Sequence, residues 1–546
     1  MPASHQHGAG DAALGQVEAE IYTLRGFARL NTNDTPGAAA DLDRAIELGR
    51  QDGWVFYWRA LARQRQNNLK DAEADLGEAI ERDGALAPAW FLRAGLRIDT
   101  GNPTGAEADA DAGLGASPED PTGFTVRGGA RINLNKFAEG EADVSRAIEL
   151  GRNDFIVYRW RALARMNLGR LADSDADFSE SLHRGDPDPQ TSFMRAAVRL
   201  ELERYEEAEQ DLDAALAGGM TSAWVYRHRG HARLSLGKLE AAEQDLSAAI
   251  DGGVDDVNVY VDRADCLRQQ SRFDAAVADY TAAISKGRDD ARVHFLRALC
   301  YRELGSYCEA ERDLDAAIAR DPAEIVGLAQ RSFVRLQRGR FTAAESDAHA
   351  ALERTTAEQG ELRGLLFTVR GHSRYGQGDF TTALADFDAV LAASPDDSGI
   401  RVVRIASLLA LRRTAEAEAE LPKVESNPVS GSADAAAGLL ALMREDFADA
   451  LARFEQARQA TDGDEWHSWN GLANLLLGHE TDAYTDYRRC RESSPPGDCA
   501  IAVVELDLWT SRFGERLQSR TIQTAIANIR GQLVKLVADE NAGEEG

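Results

Sequence analysis

Arginine recurs in this chain with a spacing that carries chemistry. It stands at Arg25, Arg59, Arg93, Arg127, Arg161, Arg195, Arg229, Arg263, Arg297 and Arg331, always 34 residues apart, and resumes at Arg370 and Arg404. Four residues later a second arginine often follows, at Arg29, Arg63, Arg97, Arg131, Arg165, Arg199, Arg233, Arg335 and Arg374. Two guanidiniums four residues apart share one helix face, and the work they do is the bidentate gripping of carboxylate or phosphate. A carboxylate recurs as well, sixteen residues after the first arginine, at Asp41, Asp75, Asp109, Asp143, Asp177, Asp211, Asp245, Asp279, Asp313, Asp347 and Asp386. The bland reading is a structural ion-pair ladder joining Arg59 to Asp75, Arg195 to Asp211 and Arg229 to Asp245. The sharper one is a basic ribbon for a phosphorylated or acidic ligand. The ladder is favoured, because Arg404 keeps an acid at Glu420. The correlation fails at the C-terminal end, where Ala437 meets Arg453 and Asn470 meets Asp486.

Other chemistry is scarce. The chain has no G-x-x-x-x-G-K-[ST], no G-x-S-x-G and no H-E-x-x-H, and the string from Gly230 to Lys238 has the wrong spacing for a phosphate loop. His228 and His231 lack a third ligand at a helical offset, so no metal is expected. Five cysteines form no C-x-x-C; Cys266 and Cys300 stand at a position that otherwise holds apolar residues and read as small core residues. Neither catalytic residues nor cofactors are expected, and the chain is read as not an enzyme.

The elements that position the arginines follow from the small residues around them. Each arginine but Arg404 is followed by Gly, Ala or Ser, and a second small residue comes twelve further on, as at Ala38, Ala72, Ala106 and Gly140. Within one period, apolar residues at three and four spacings run through Trp224 to Leu234 and again through Leu239 to Ile250, separated by Gly237-Lys238. That is helix, turn, helix. A fixed period of this length identifies stacked units that cannot bury their apolar faces alone. Fourteen repeats fit the chain.

The pattern resembles the tetratricopeptide repeat. Repeat position 4 holds an aromatic at Tyr22, Phe56, Trp90, Phe124, Tyr158, Tyr226, Tyr260 and Phe367, and position 32 holds Pro118, Pro322, Pro395 and Pro495. Arginine at position 11, where that family usually has tyrosine, is a departure. The resemblance implies an all-α, right-handed superhelical solenoid whose first helices line a concave groove through positions 2, 5, 9, 12 and 13. Mapped onto this chain, the implied partner-binding residues are Trp54, Tyr57, Phe91, Arg159, Phe193, Trp224, Arg227, His231, Arg268, Phe295, Arg302, Phe333, His372 and Tyr375.

The expected organisation is a disordered leader over 1–16, repeats 1–10 over 17–353, an insertion at 354–363, repeats 11–14 over 364–492, capping helices over 493–538 and an acidic tail over 539–546. The insertion reads as a lengthened second helix that divides the solenoid into two arms. The capping helices carry Trp509, Phe513, Ile522, Ile526, Ile529, Leu533 and Leu536, a stripe that alternatively serves self-association. No run of eighteen apolar residues and no secretory leader are present, so no membrane partner is expected. A net charge of −29 disfavours nucleic acid. The reduced cysteines place the chain in the cytoplasm, and its arginine and alanine bias points to a bacterial source. The expected function is a scaffold that holds a partner protein or extended peptide in the groove. The alternatives are a regulatory subunit embracing a separate protease or nuclease, and nucleic-acid binding through the arginine ribbon.

Overall fold

One repeat shows how the rest are made. The helices Gly53–Arg65 and Leu69–Arg82 are joined by a three-residue turn. Asp52 starts the first helix by accepting a hydrogen bond from the Val55 amide, satisfying a donor that has no partner within the helix. The turn needs a left-handed residue, and Asn67 supplies it at φ 60°. The same place in later repeats is Gly101, Asn135, Gly169, Glu203 and Gly237, all with positive φ. Ala60, Ala72 and Ala79 are wholly buried between the two helices with Leu76, so the helices meet almost backbone to backbone. In repeat 4 a Cβ on Gly140 would lie 3.0 Å from the Gly128 carbonyl oxygen.

A computed structural model of the protein describes residues 5–426, 431–461, 466–514 and 517–542. Among them are thirty α-helices in tandem pairs, and no strand. They form two compact bodies, residues 1–254 and 255–546. The division therefore falls after repeat 7, and not at the insertion between repeats 10 and 11. At that insertion Phe341–Arg354 keeps an ordinary length while Gly360–Gly376 grows to 17 residues. The extra residues thus lengthen the first helix of repeat 11 and not the second helix of repeat 10. Thr355 turns extended, and Arg363 Nη1 donates to its hydroxyl at 2.9 Å, which fixes the break; β-branched Thr355-Thr356 is a poor place to continue a helix. The leader expected to be disordered is helical from His5, continuous with the first helix His5–Asn31. Adding residues to a helix already held by packing avoids the nucleation cost. For the same reason the last helix, Arg520–Ala542, takes in the first part of the acidic tail.

In both bodies the repeats are stitched by charge as well as by apolar packing. Arg59 grips Asp75 with Nε at 3.0 Å and Nη2 at 2.5 Å, and its Nη1 reaches back to Asp43 of repeat 1 at 2.7 Å. Arg229 does the same with Asp245 and with Asp213 of the repeat before; the Asp245 hydrogen bond holds its guanidinium above the ordinary arginine range. The second arginine shares the aspartate and reaches back differently. Arg199 Nη1 bonds Asp211 at 2.8 Å while its Nε bonds Asp175 of repeat 5 at 2.7 Å. Glu73, Glu107, Glu141 and Glu209 take the place of Asp175 in other repeats. A base at the start of the second helix, such as Lys136, Arg170 or Lys238, caps the same acid.

Asp211 is buried while Arg195 and Arg199 keep some solvent. Asp211→Ala is expected to cost about 3 kcal/mol, the lower edge of what breaking a buried pair costs. Urea unfolding of Arg195→Ala, Asp211→Ala and the double variant should give a coupling energy above about 0.5 kcal/mol. Small, additive losses would remove the ladder from the account of stability.

Candidate interaction surfaces

The residues expected to line a groove all stand on the first helices of the repeats, and some of them are exposed. In the N-terminal body this stripe of first helices carries an aromatic patch at repeats 1 and 2. Trp54 is 41% exposed; its ring stands edge-on to Tyr57 at 5.6 Å and tilted on Trp58 at 5.7 Å, and Phe27 lies 5.0 Å from Trp58. Tyr57 is half-buried, and burial pushes its phenol above the ordinary value. Further along, Trp224 is 45% exposed and leans on His228, which meets the edge of Phe193 at 5.2 Å. Arg227 and His231 line a cleft of about 540 Å³ with Tyr205, Leu200 and Met166. Phe91 is no groove residue. It is buried in the space left by Gly113 and Gly123, whose Cβ atoms would lie 2.4 and 2.6 Å from its ring. Arg159 ties down the loop before repeat 6 through Asp186 and Asp188, at 3.3 and 3.1 Å.

In the C-terminal body the stripe divides into an open and a covered stretch. Phe295 lines a pocket of about 340 Å³ with Arg292, Ile318 and Val326. Arg302 and Phe333 share a cleft of about 480 Å³ with Tyr307, Gln330 and Leu365. Arg268 lies against Asp265, 3.7 Å away. His372 packs on Phe387 at 5.4 Å, and burial lowers its pKa.

From here the chain covers its own surface. The helix Pro496–Arg512 crosses the first helices of repeats 10, 11, 12 and 14. At repeat 10 the approach is so close that a Cβ on Gly497 would lie 2.1 Å from the Leu336 carbonyl oxygen. Buried Tyr375 donates its hydroxyl to Glu505 at 3.2 Å, and Ser468 of repeat 14 reaches the other carboxyl oxygen at 3.4 Å. Burial raises the Glu505 carboxyl to about 8. Arg512 Nη1 bonds the Leu409 carbonyl at 3.0 Å. The last helix returns along the first, and Arg338 Nη2 holds the Glu540 carbonyl at 3.2 Å.

Tyr375 is therefore withdrawn from any partner. The stripe read as a cap, or alternatively as a self-association surface, is covered by the chain itself: Trp509, Phe513, Ile526, Ile529 and Leu533 are all buried in the core of this body. Sequence reasoning missed Phe27, Trp58, Tyr205 and Glu505. Among the described residues no three His, Cys, Asp or Glu side chains come together as a metal site. The guanidiniums an anionic ribbon would use already hold carboxylates.

Residues 57–121, 227–284, 261–325 and 368–425 each match the family model described as tetratricopeptide repeat. The chain carries tetratricopeptide repeats. Several solved structures are similar to parts of the chain. A tetratricopeptide repeat protein from Parabacteroides merdae is 18% identical over 46% of this chain and 99% of its own, with a TM-score of 0.34. YrrB, described as a tetratricopeptide repeat protein with an unusual peptide-binding site, is 21% identical over 34% of this chain and 95% of its own, TM-score 0.31. Pseudomonas aeruginosa pilF is 17% identical over 36% of this chain and 89% of its own, TM-score 0.33. No curated protein matches the sequence. Tetratricopeptide repeats are in general non-catalytic scaffolds for binding proteins and peptides, and among the described residues no helix is long and apolar enough to cross a membrane.

Proposed function

We propose that this tetratricopeptide repeat protein recruits another protein, and that the stripe of first helices in residues 1–254 is the recruiting surface. The observation that carries the reading is the occupant of the matching stripe in the C-terminal body, an apolar helix of the chain itself, Pro496–Arg512. A surface of this construction accepts a helix or extended segment laid along it. In the N-terminal body Trp54 and Trp224 stand exposed along the stripe, rigid aromatic anchors of the kind that dominate interface energies.

Photo-crosslinking groups at positions 54 and 224, followed by mass spectrometry from the native host, would identify the captured chain. An enzyme recovered in one-to-one ratio would specify a regulatory subunit; any other protein, a scaffold. Trp54→Ala with Trp224→Ala is expected to weaken capture by about 30-fold or more, from roughly 2 kcal/mol for a well-seated anchor. The melting temperature should hold, since both rings are half in solvent. Capture that survives both substitutions would remove this surface from the proposal.

A further inference from the structure

The first helix presents to solvent a face that later repeats hide. At repeat position 3, Val55, Val157, Val225 and Val293 are wholly buried, each clustered with the second helix of the repeat before it, as Val55 is with Leu42 and Ala45. At position 10, Ala62, Ala164, Val198 and Ala232 are equally buried. In repeat 1 these positions are Ile21, 55% exposed, and Ala28, also exposed. Between and before them stand Leu24 at 60% and Val17 at 57%. The helix runs unbroken from His5, so the residues leading into Val17 continue along its axis and do not fold back over this face.

Polar groups on the same face point the same way. In repeats 2, 4, 7 and 10 the Nη1 of the periodic arginine donates to an aspartate of the preceding repeat, namely Asp43, Asp111, Asp213 and Asp315. Arg25 spends its Nε and Nη2 on Asp41, and among the described residues its Nη1 meets no acceptor. The apolar residues follow 4-3-4 spacing, Val17, Ile21, Leu24, Ala28, the seam of a paired helix. Exposed Glu18 flanks its start, and Arg25 flanks its end on the same side. Such a stripe is complementary to itself turned end for end.

We propose that this face is a homodimer interface, in which the first helices of two copies lie antiparallel across a two-fold axis. Ile21 of each copy packs on Leu24 of the other, Val17 packs on Ala28, and Glu18 supplies the carboxylate that Arg25 Nη1 of the second copy would otherwise take from a preceding repeat. An isologous pairing of this kind uses each contact twice.

Sedimentation velocity of the full chain at tens of micromolar is expected to show a dimer. Ile21→Glu and Leu24→Glu should each give a folded monomer of unchanged helical content, because neither side chain is buried within its own body. Glu18→Arg should weaken the dimer about fivefold or more, the sum of two symmetric surface pairs each worth up to about 1 kcal/mol. Ile21→Cys with Leu24→Cys should give a covalent dimer on mild oxidation, a bond the wild type cannot form at this face. A wild type that stays monomeric overturns the proposal. So does a dimer that survives Ile21→Glu, or recovery of this face in a one-to-one complex with a different protein. None of these outcomes bears on Trp54 and Trp224, whose test stands separately.

Discussion

Glu311→Ala is expected to be the most damaging side-chain truncation in the C-terminal body, costing about 3–5 kcal/mol, the range for stranding a buried charge. Glu311 accepts from three arginines at once: Arg335 Nε at 2.6 Å, Arg338 Nη1 at 2.5 Å and Arg340 Nη1 at 2.8 Å. Arg338 has no solvent exposure at all. Burial alone would raise the Glu311 carboxyl, but the hydrogen bond from Arg335 and the charges of Arg335, Arg340 and Arg338 pull it below the ordinary glutamate value. The stability it contributes is therefore present above the unfolded glutamate pKa and is lost as pH falls through the lower folded one. Truncation would remove the carboxylate that these three arginines share, one of them, Arg338, fully enclosed. Asp315→Ala is the control. That carboxylate also meets two arginines, Arg331 and Arg335, but is half in solvent, so its loss should cost only about 0–1 kcal/mol. Urea midpoints of the two variants check the contrast. An equal, small loss for both would mean that burial adds nothing to the worth of the Glu311 carboxylate.

Glu505→Gln should do the reverse and stabilise the same body, increasingly as pH rises. Burial holds the Glu505 carboxyl protonated up to about 8, whereas the unfolded chain ionises near the ordinary glutamate value. A raised folded pKa gives stability that is intact below the unfolded pKa and is lost as pH climbs towards the folded one. At 1.36 kcal/mol per pH unit the wild type gives up about 3 kcal/mol by pH 7 and about 5 kcal/mol above pH 8. Glutamine is neutral, as the protonated acid is; its carbonyl can accept from Tyr375 while its amide N–H donates to the Ser468 hydroxyl, and it has no proton to lose. Melting curves of the two chains should coincide near pH 4 and separate steadily towards pH 8, by about 2–4 °C for each kcal/mol in a body of this size. Parallel curves would show that Glu505 is hydrated.

The repeat, the helix pairs and the Arg–Asp spacing were all legible in the sequence, because the same physical problem is solved many times and each solution leaves a residue in register. Periodicity carried more than was read from it. The acids at Glu73, Glu107, Glu141, Asp175 and Glu209, and the bases at Lys136, Arg170 and Lys238, recur just as regularly, and they are the groups that reach between repeats. The last two helices occur once, so nothing calibrates them. Their apolar stripe reads as a cap or, alternatively, as a self-association surface, and neither reading says which surface it covers. What decides is that Gly497 admits the Leu336 carbonyl and that Glu505 meets Tyr375 and Ser468, and these depend on which surface the chain turns back to. Phe91 was misjudged for a related reason. The glycines that make room for it, Gly113 and Gly123, lie on other helices.

The return of the last two helices separates the two bodies in time as well as in structure. Bonds between neighbouring repeats close loops of 16, 24 or 29 residues, so residues 1–254 can assemble one repeat after another as they leave the ribosome. Tyr375 to Glu505 spans 130 residues, and Arg338 to Glu540 spans 202. Contacts so remote in sequence slow the closing step. Until the helices Pro496–Arg512 and Arg520–Ala542 have been made, the apolar surface they cover on repeats 10–14 is left bare, a stage at which a nascent chain has need of a chaperone.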